Sequence, residues 1–267
     1  MKSILHQSGQ RFHFGRNIPA IHHSKLPRFA NLRDAALPNI VVPTTQDYSA
    51  PAMPGLRAIY RNDVLGCCVV ASEAHTINIQ QGQAGKPVTV FTDPQIGVQY
   101  GLAGGYVEGD PSTDQGCDEV SALTDWQTNA WPDESENIGW VQIDATNDLE
   151  TAQALVVCKA IIYCACLPGQ WQASMPTLAD GTTWDLAGPP DPNAGHSFMS
   201  FGRDASGNDI LDTWALFPLM TPEARRFYPT PAQGGGCYAV MTTDGITQAG
   251  YNKDQVLQFF AAWRQTI

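Results

Sequence analysis

The stretch 61-RNDVLGCCVVASEAH-75 sets Cys67 and Cys68 side by side, behind Gly66 and ahead of a small-residue, apolar run. Neighbouring cysteines almost never bridge each other, so a disulfide is a poor explanation. The choice lies between small core residues and a nucleophile seated at a helix start. From Gly66 to Gln81 the apolar positions Val69, Val70, Ala74 and Ile77 keep helical spacing, and the run ends near Gly82. A helix N-terminus favours negative charge and lowers a thiol pKa, which is what a catalytic cysteine needs.

Such a cysteine also needs a histidine to take its proton, an acceptor to hold the imidazole, and a donor for the developing oxyanion. The best histidine is His196, which follows Gly195 at the start of a predicted strand. Asp212 lies on the next strand, across a hairpin whose turn reads DASGND. Adjacent antiparallel strands can place two such side chains next to each other.

The rest of the chain fits around these residues. Residues 1–42 form an arm rich in Pro, Arg, His and Asn, and little periodicity appears before residue 60. Cations collect in this region at Lys2, Arg11, Arg16, Lys25, Arg28, Arg33 and Arg57, against Asp34 and Asp47. A basic arm on an acidic body suits binding to that body or to a partner. Helices are predicted within 66–81, within 113–131 with Asp114 or Asp118 as cap, and within 146–160 with Asn147 as cap. Short strands are predicted at 160–168, 196–204, 209–217 and 236–244, and a last amphipathic helix at about 253–265. The segment between Gly169 and Ala194 reads as a long loop, and GLAGGY (101–106) and GGG (234–236) read as loop and turn. A helical half (about 60–160) before a β half (about 160–250) indicates one α+β domain over 43–267, with two segregated layers.

Bulk composition bounds the function. The chain has 267 residues, 43% hydrophobic and 15% charged, enough for one large core. A net charge of −11 with only 15 Lys and Arg argues against nucleic acid and against an anionic membrane surface. No segment approaches the apolar length of a membrane span, and the N-terminus lacks a secretory pattern. An odd count of 7 Cys, with Cys158, Cys164 and Cys166 inside apolar runs, fits buried thiols made in a reducing cytoplasm.

The ordered residues carry a resemblance to the papain-like cysteine peptidases. NDVLGCCVVAS resembles their Gln-to-Cys signature, AGHSFMSFGRD their Gly-His strand, and DTWA (212–215) their Asn-Ser-Trp-Gly. QDYS (46–49) resembles the Asp-Trp stretch opening their mature chain, and the separations from Cys68 to His196 to Asp212 also fit. A nearer resemblance is to uncharacterised papain-like proteins associated with bacteriophages and bacteria. These carry an N-D-x-x-G-D-C loop, an Ala-His on the following helix, a T-D-x-G and a late G-G-H-A. The matching residues are Asn62-Asp63, Gly66-Cys67-Cys68, Ala74-His75, Thr113-Asp114-Gln115-Gly116 and Ala194-Gly195-His196.

The resemblance implies a two-lobe fold, a helical lobe plus an antiparallel β-lobe, acting on peptide or protein amides without metal or cofactor. Carried over residue by residue, Cys68 attacks, His196 is acid and base, and Asp212 orients the imidazole. Asn62 stands where the family keeps its oxyanion Gln, one methylene shorter. Trp214 shields the His–Asp contact, Cys67 fills a supporting position, and Ala215 replaces a Gly. The rival expectation is a catalytically weak or inactive structural protein of a phage virion, docking through residues 1–42. A peptidoglycan hydrolase ranks lower, because the Cys-to-His separation is long.

Other features have plainer readings. His75 is expected to be a satisfied core histidine. His22-His23, with His6 and His13, read as a solvated arm and not as a metal site. Most of the Trp side chains belong to the core, with Trp171 and Trp184 also candidates to line a groove.

Overall fold

The computed structural model describes residues 2–20, 25–37 and 39–264. His22-His23 and residue 265 of the expected last helix lie outside the described residues. The chain begins with a hairpin, β1 (Ser3–Leu5) and β2 (Arg11–His13), then α1 (Phe29–Ala36), β3 (Gln46–Asp47) and α2 (Met53–Leu56). Residues 1–42 therefore carry secondary structure of their own. The helical lobe follows as α3 (Cys68–Gln83), α4 (Asp93–Gly104) and α5 (Glu119–Thr128). Next come β4 (Asn137–Gln142), α6 (Asp148–Cys158), β5 (Ile161–Cys166), α7 (Gly169–Ser174) and β6 (Thr183–Trp184). The chain continues through β7 (Gly195–Arg203), β8 (Asp209–Asp212), β9 (Leu219–Met220) and α8 (Pro222–Phe227). It closes with β10 (Gly236–Thr242), α9 (Thr243–Ala249) and α10 (Lys253–Arg264).

The main sheet runs β4-β10-β5-β7-β8-β9-β6, with β3 added against β7. All its pairings are antiparallel except β6–β9. Side chains on a strand alternate between faces, and here the alternation divides the core in two. Ile161, Tyr163 and Ala165 of β5, with Cys237, Ala239 and Met241 of β10, join one apolar cluster. Ile162 and Cys164, with Tyr238 and Val240, join the other, which contains Cys67, Cys68, Val69 and Val70 of the helical lobe. The helix bearing Cys68 therefore packs on one face of the sheet that carries His196.

Local signals account for most boundaries. Asp118 caps α5 by accepting from the Ser121 amide, and Asn147 caps α6 by accepting from the Glu150 amide. Several segments differ from expectation. Residues 137–142 form a strand inside the helical half, buried on both faces and so without the period-two pattern. Residues 101–104, expected in a loop, are the last turn of α4, and α7 interrupts the expected loop after Gly169. The strand expected over 209–217 stops at Asp212, because Trp214 and Ala215 adopt φ of 51° and 61°. Paired bonds between Thr213 and Leu216 close that tight turn. Residues 243–249 form a helix around Gly245, a residue that weakens any helical signal.

Candidate active site

Cys67 is the N-cap of α3 and Cys68 its first residue. The Cys67 thiol turns inward and donates to the Tyr60 carbonyl at 3.3 Å, so it is a core group. The loop before it is held by side chains. Asn62 Nδ2 donates to the carbonyls of Leu65 (3.0 Å) and His13 (3.3 Å), which engages both its hydrogens. Asp114 accepts from the Gly66 amide at 3.1 Å and from the Tyr100 hydroxyl at 2.7 Å. Asp114, one of the two cap candidates, does not cap α5 and ties the Cys68 loop to Tyr100 of α4.

On the β-lobe, the register pairs Asp212 with Met199, three residues along β7 from His196. An odd offset puts the two side chains on opposite faces of the ladder, so the expected His196–Asp212 contact does not form. Thr213, one residue further, has the parity of His196, and its Oγ1 lies 2.7 Å from His196 Nε2. The Trp214 ring stacks on the imidazole at 3.9 Å between centroids and 9° between planes. Asp212 faces α3 instead, with Oδ2 3.6 Å from His75 Nδ1. His75 Nε2 in turn meets the Ala58 carbonyl at 2.9 Å. Ser72 and Ser197 link the lobes through their hydroxyls at 3.1 Å.

Cys68, His75, His196, Asp212 and Thr213 line one cavity of about 10 Å³, the scale of a single water. His196 Nδ1 and both Asp212 carboxylate oxygens are buried without a hydrogen-bond partner. Burial dominates the electrostatics. It pushes the Cys68 thiol up to about 11, against the amides of Ser197, Gly15 and Val69 and the Arg16 charge. It pulls His196 down to about 3 and His75 to about 4, and raises Asp212 well above the carboxylate range. In this form the site holds a neutral thiol and neutral imidazoles at pH 7.

Over Cys68 and His196 the cover comes from the arm. Residues 14–17 run between the lobes: the Cys117 amide donates to the Gly15 carbonyl (3.0 Å), and the Asn17 amide to the Cys117 carbonyl (2.9 Å). Across the gap, the Arg16 amide donates to the Gly195 carbonyl at 3.1 Å. Phe14 sets its ring edge-on against both His196 and Trp214, and Phe12 stacks on Trp214 at 4.6 Å. The residue-level reading of the sequence missed Phe14, Gly15, Arg16 and Thr213. A glycine flanked by an aromatic and an arginine in an otherwise unpatterned arm was the available signal. Trp171 and Trp184 line no groove; they stack on each other inside the β-lobe core. Among the described residues no cluster of His, Cys, Asp and Glu is placed to hold a metal ion.

No protein-family model and no curated protein matches the chain. Solved structures do. Xylellain, a cysteine protease from Xylella fastidiosa, aligns with a TM-score of 0.62 at 12% identity, over 87% of this chain and 97% of its own. The digestive procathepsin L2 proteinase of Tenebrio molitor aligns with 0.58 at 14% identity, over 86% of this chain and 78% of its own. Procathepsin L 3 of the same larval midgut gives 0.56 at 11% identity, over 86% and 75%. At such identities the likeness is one of fold: this is a papain-like two-lobe α+β architecture.

Proposed function

We propose that the protein is a papain-like cysteine peptidase or related amide hydrolase, in a latent form whose own residues 14–17 occupy the cleft. The observation that carries the reading is Cys68 at the start of a helix, sharing a cavity with an unpartnered His196 Nδ1. With the cleft open to water, His196 Nδ1 takes the Cys68 proton, the thiolate attacks an amide carbonyl, and the imidazolium protonates the leaving amine. Water activated by His196 then hydrolyses the acyl-enzyme. Thr213 orients the imidazole through Nε2, and Trp214 excludes water from that bond. The Cys68 amide, in the first turn of α3, is free to face an oxyanion. Asn62 serves there only by releasing the Leu65 or His13 carbonyl.

A second reading has one observation in its favour: a buried Cys68 with its pKa raised suits an inert structural part. That form matches the virion component docking through its arm. The arm's burial against its own cleft, with Phe12 at 0% exposure, favours latency instead.

The test is Cys68 alkylation by iodoacetamide against pH, with sites assigned by mass spectrometry. It compares wild type, Arg16→Ala, and Arg16→Ala with His196→Ala. Wild type should react slowly below pH 9. Arg16→Ala should react fast at pH 5–7, well below the free-thiol value of about 8.5, and lose this with His196→Ala. A released Cys68 that reacts only as an ordinary thiol sinks the peptidase reading.

A further inference from the structure

The arm does more than cover the nucleophile: it displays what the cleft binds. The Arg16 guanidinium lies in a closed pocket, with Nε 2.8 Å from Glu119 Oε2 and Nη2 2.6 Å from Oε1. Its Nη1 donates to the Gly234 carbonyl. Tyr238 donates to Glu119 Oε1 at 3.3 Å, and the side chains of Arg16 and Glu119 are 0% and 1% exposed. Glu119 is the first residue of α5, where the helix dipole supports a negative charge.

The backbone around Arg16 is held as a peptide substrate's would be. It bonds to Gly195 on one lip, its neighbours bond to Cys117 on the other, and the Gly15 amide acts on the Cys68 thiol. The channel is lined with glycine. A Cβ on Gly116 would collide with the Gly15 carbonyl, one on Gly195 with the Arg16 carbonyl, and one on Gly15 with Gly66. Only a channel free of side chains admits a main chain this closely.

We propose that the Glu119 pocket is the specificity pocket of the cleft and takes an arginine side chain of a peptide substrate, with Arg16 as its resident occupant. This rests on the peptidase reading and names the substrate class for that same site. When an incoming peptide displaces the arm, the pocket holds a buried carboxylate that must be paired. Leaving such a charge unpaired is far costlier than leaving an apolar slot empty. The planar fork matches both carboxylate oxygens and leaves a further N–H for the Gly234 carbonyl, a geometry a lysine ammonium does not reproduce. Glu119 is thus the specificity-determining residue.

The test uses the full chain with Arg16→Ala, which vacates the pocket. Internally quenched peptides that differ only in Arg, citrulline, Lys or Leu at one scanned position are compared by kcat/KM. The fluorescein-labelled Arg and citrulline peptides are also titrated by anisotropy onto Arg16→Ala carrying Cys68→Ala. Arg over citrulline should be preferred by roughly a hundredfold in both readouts, and Glu119→Gln in the same background should collapse the ratio below about fivefold. Tight, Glu119-dependent binding of the Arg peptide without cleavage supports the pocket and refutes the peptidase reading. Cleavage with no Arg preference refutes the pocket and leaves the reading intact. Absence of both binding and cleavage overturns both. If Arg16→Ala does not fold, Arg16→Lys replaces it. The labelled Arg peptide should then bind the Arg16→Lys chain carrying Cys68→Ala more tightly than the citrulline peptide, read by anisotropy; equal affinities overturn the pocket.

Discussion

His75 and His196 look into one cavity from opposite lobes, and what holds each ring differs. His75 Nε2 meets a backbone carbonyl, which only accepts, so the proton sits on Nε2 and Nδ1 presents a lone pair to Asp212. A bare carboxylate facing that lone pair is disfavoured, and burial already raises the Asp212 pKa, so the His75–Asp212 pair holds one proton between its members. His196 Nε2 meets the Thr213 hydroxyl, which donates or accepts as required. A general base has to change protonation state during turnover. The Ala58 carbonyl fixes His75 in the tautomer that turns its Nδ1 lone pair to Asp212, whereas His196 Nδ1 has no partner and is free to take and return a proton.

The largest effect expected from this contrast is between two substitutions. In the arm-released Arg16→Ala chain, His196→Ala should cut the pH 6 alkylation rate of Cys68, and any peptide hydrolysis, by about a thousandfold, in line with loss of a general acid–base. His75→Gln, which keeps a donor for the Ala58 carbonyl, should cost less than tenfold. Equal losses at the two positions would break the contrast.

Stability against pH sharpens it. Both histidines titrate lower in the fold (about 4 and about 3) than in the unfolded chain, near 6.5. Above pH 6.5 they contribute no slope. Below it the unfolded chain takes up protons that the fold refuses, so stability falls with pH until each folded pKa is passed. Asp212 has the opposite sign. Its raised folded pKa keeps a proton that the unfolded carboxyl loses above about 3.9, so its contribution is present at acid pH and fades as pH rises. Urea titrations between pH 4 and 6 should show the slope falling by about 1 kcal/mol per pH unit in His75→Gln, short of the roughly 1.4 of a full proton. Asp212→Asn should raise it, because the proton that the fold keeps on Asp212 no longer opposes the rise. A mutant slope equal to wild type would mean that the pair does not hold its proton as argued.

These residues also mark where the sequence was legible. The start of α3, the caps Asp118 and Asn147, and His196 at the head of β7 rest on local pattern, and the structure places them within a few residues of expectation. Asp212 was expected beside His196 from hairpin adjacency, but strand parity decides which residue faces which, and a single residue step exchanges Asp212 for Thr213. No pattern within the hairpin reports that register. Arg16 was beyond local reading for a different reason. Its partners Glu119, Gly195 and Gly234 are far away in the chain and come together only in the fold. The glycines at 15, 66, 116 and 195 were visible, but each alone reads as a turn.

The smallest effect is also the most direct comparison of hydroxyl with carboxylate. Thr213→Val keeps the shape of the side chain and removes the bond to His196 Nε2. The lost bond is worth about 1 kcal/mol, so turnover or low-pH alkylation in the released chain should fall about fivefold, with Thr213→Ser restoring most of it. Asp212→Asn should change the same rate by less than threefold, because its carboxyl makes no bond to His196 in this arrangement. If the order is reversed, with Asp212→Asn crippling and Thr213→Val silent, then opening the cleft must bring Asp212 across from His75 to His196. The site would then be assembled only when the arm leaves, and the arm would be holding the carboxylate as well as the nucleophile out of play.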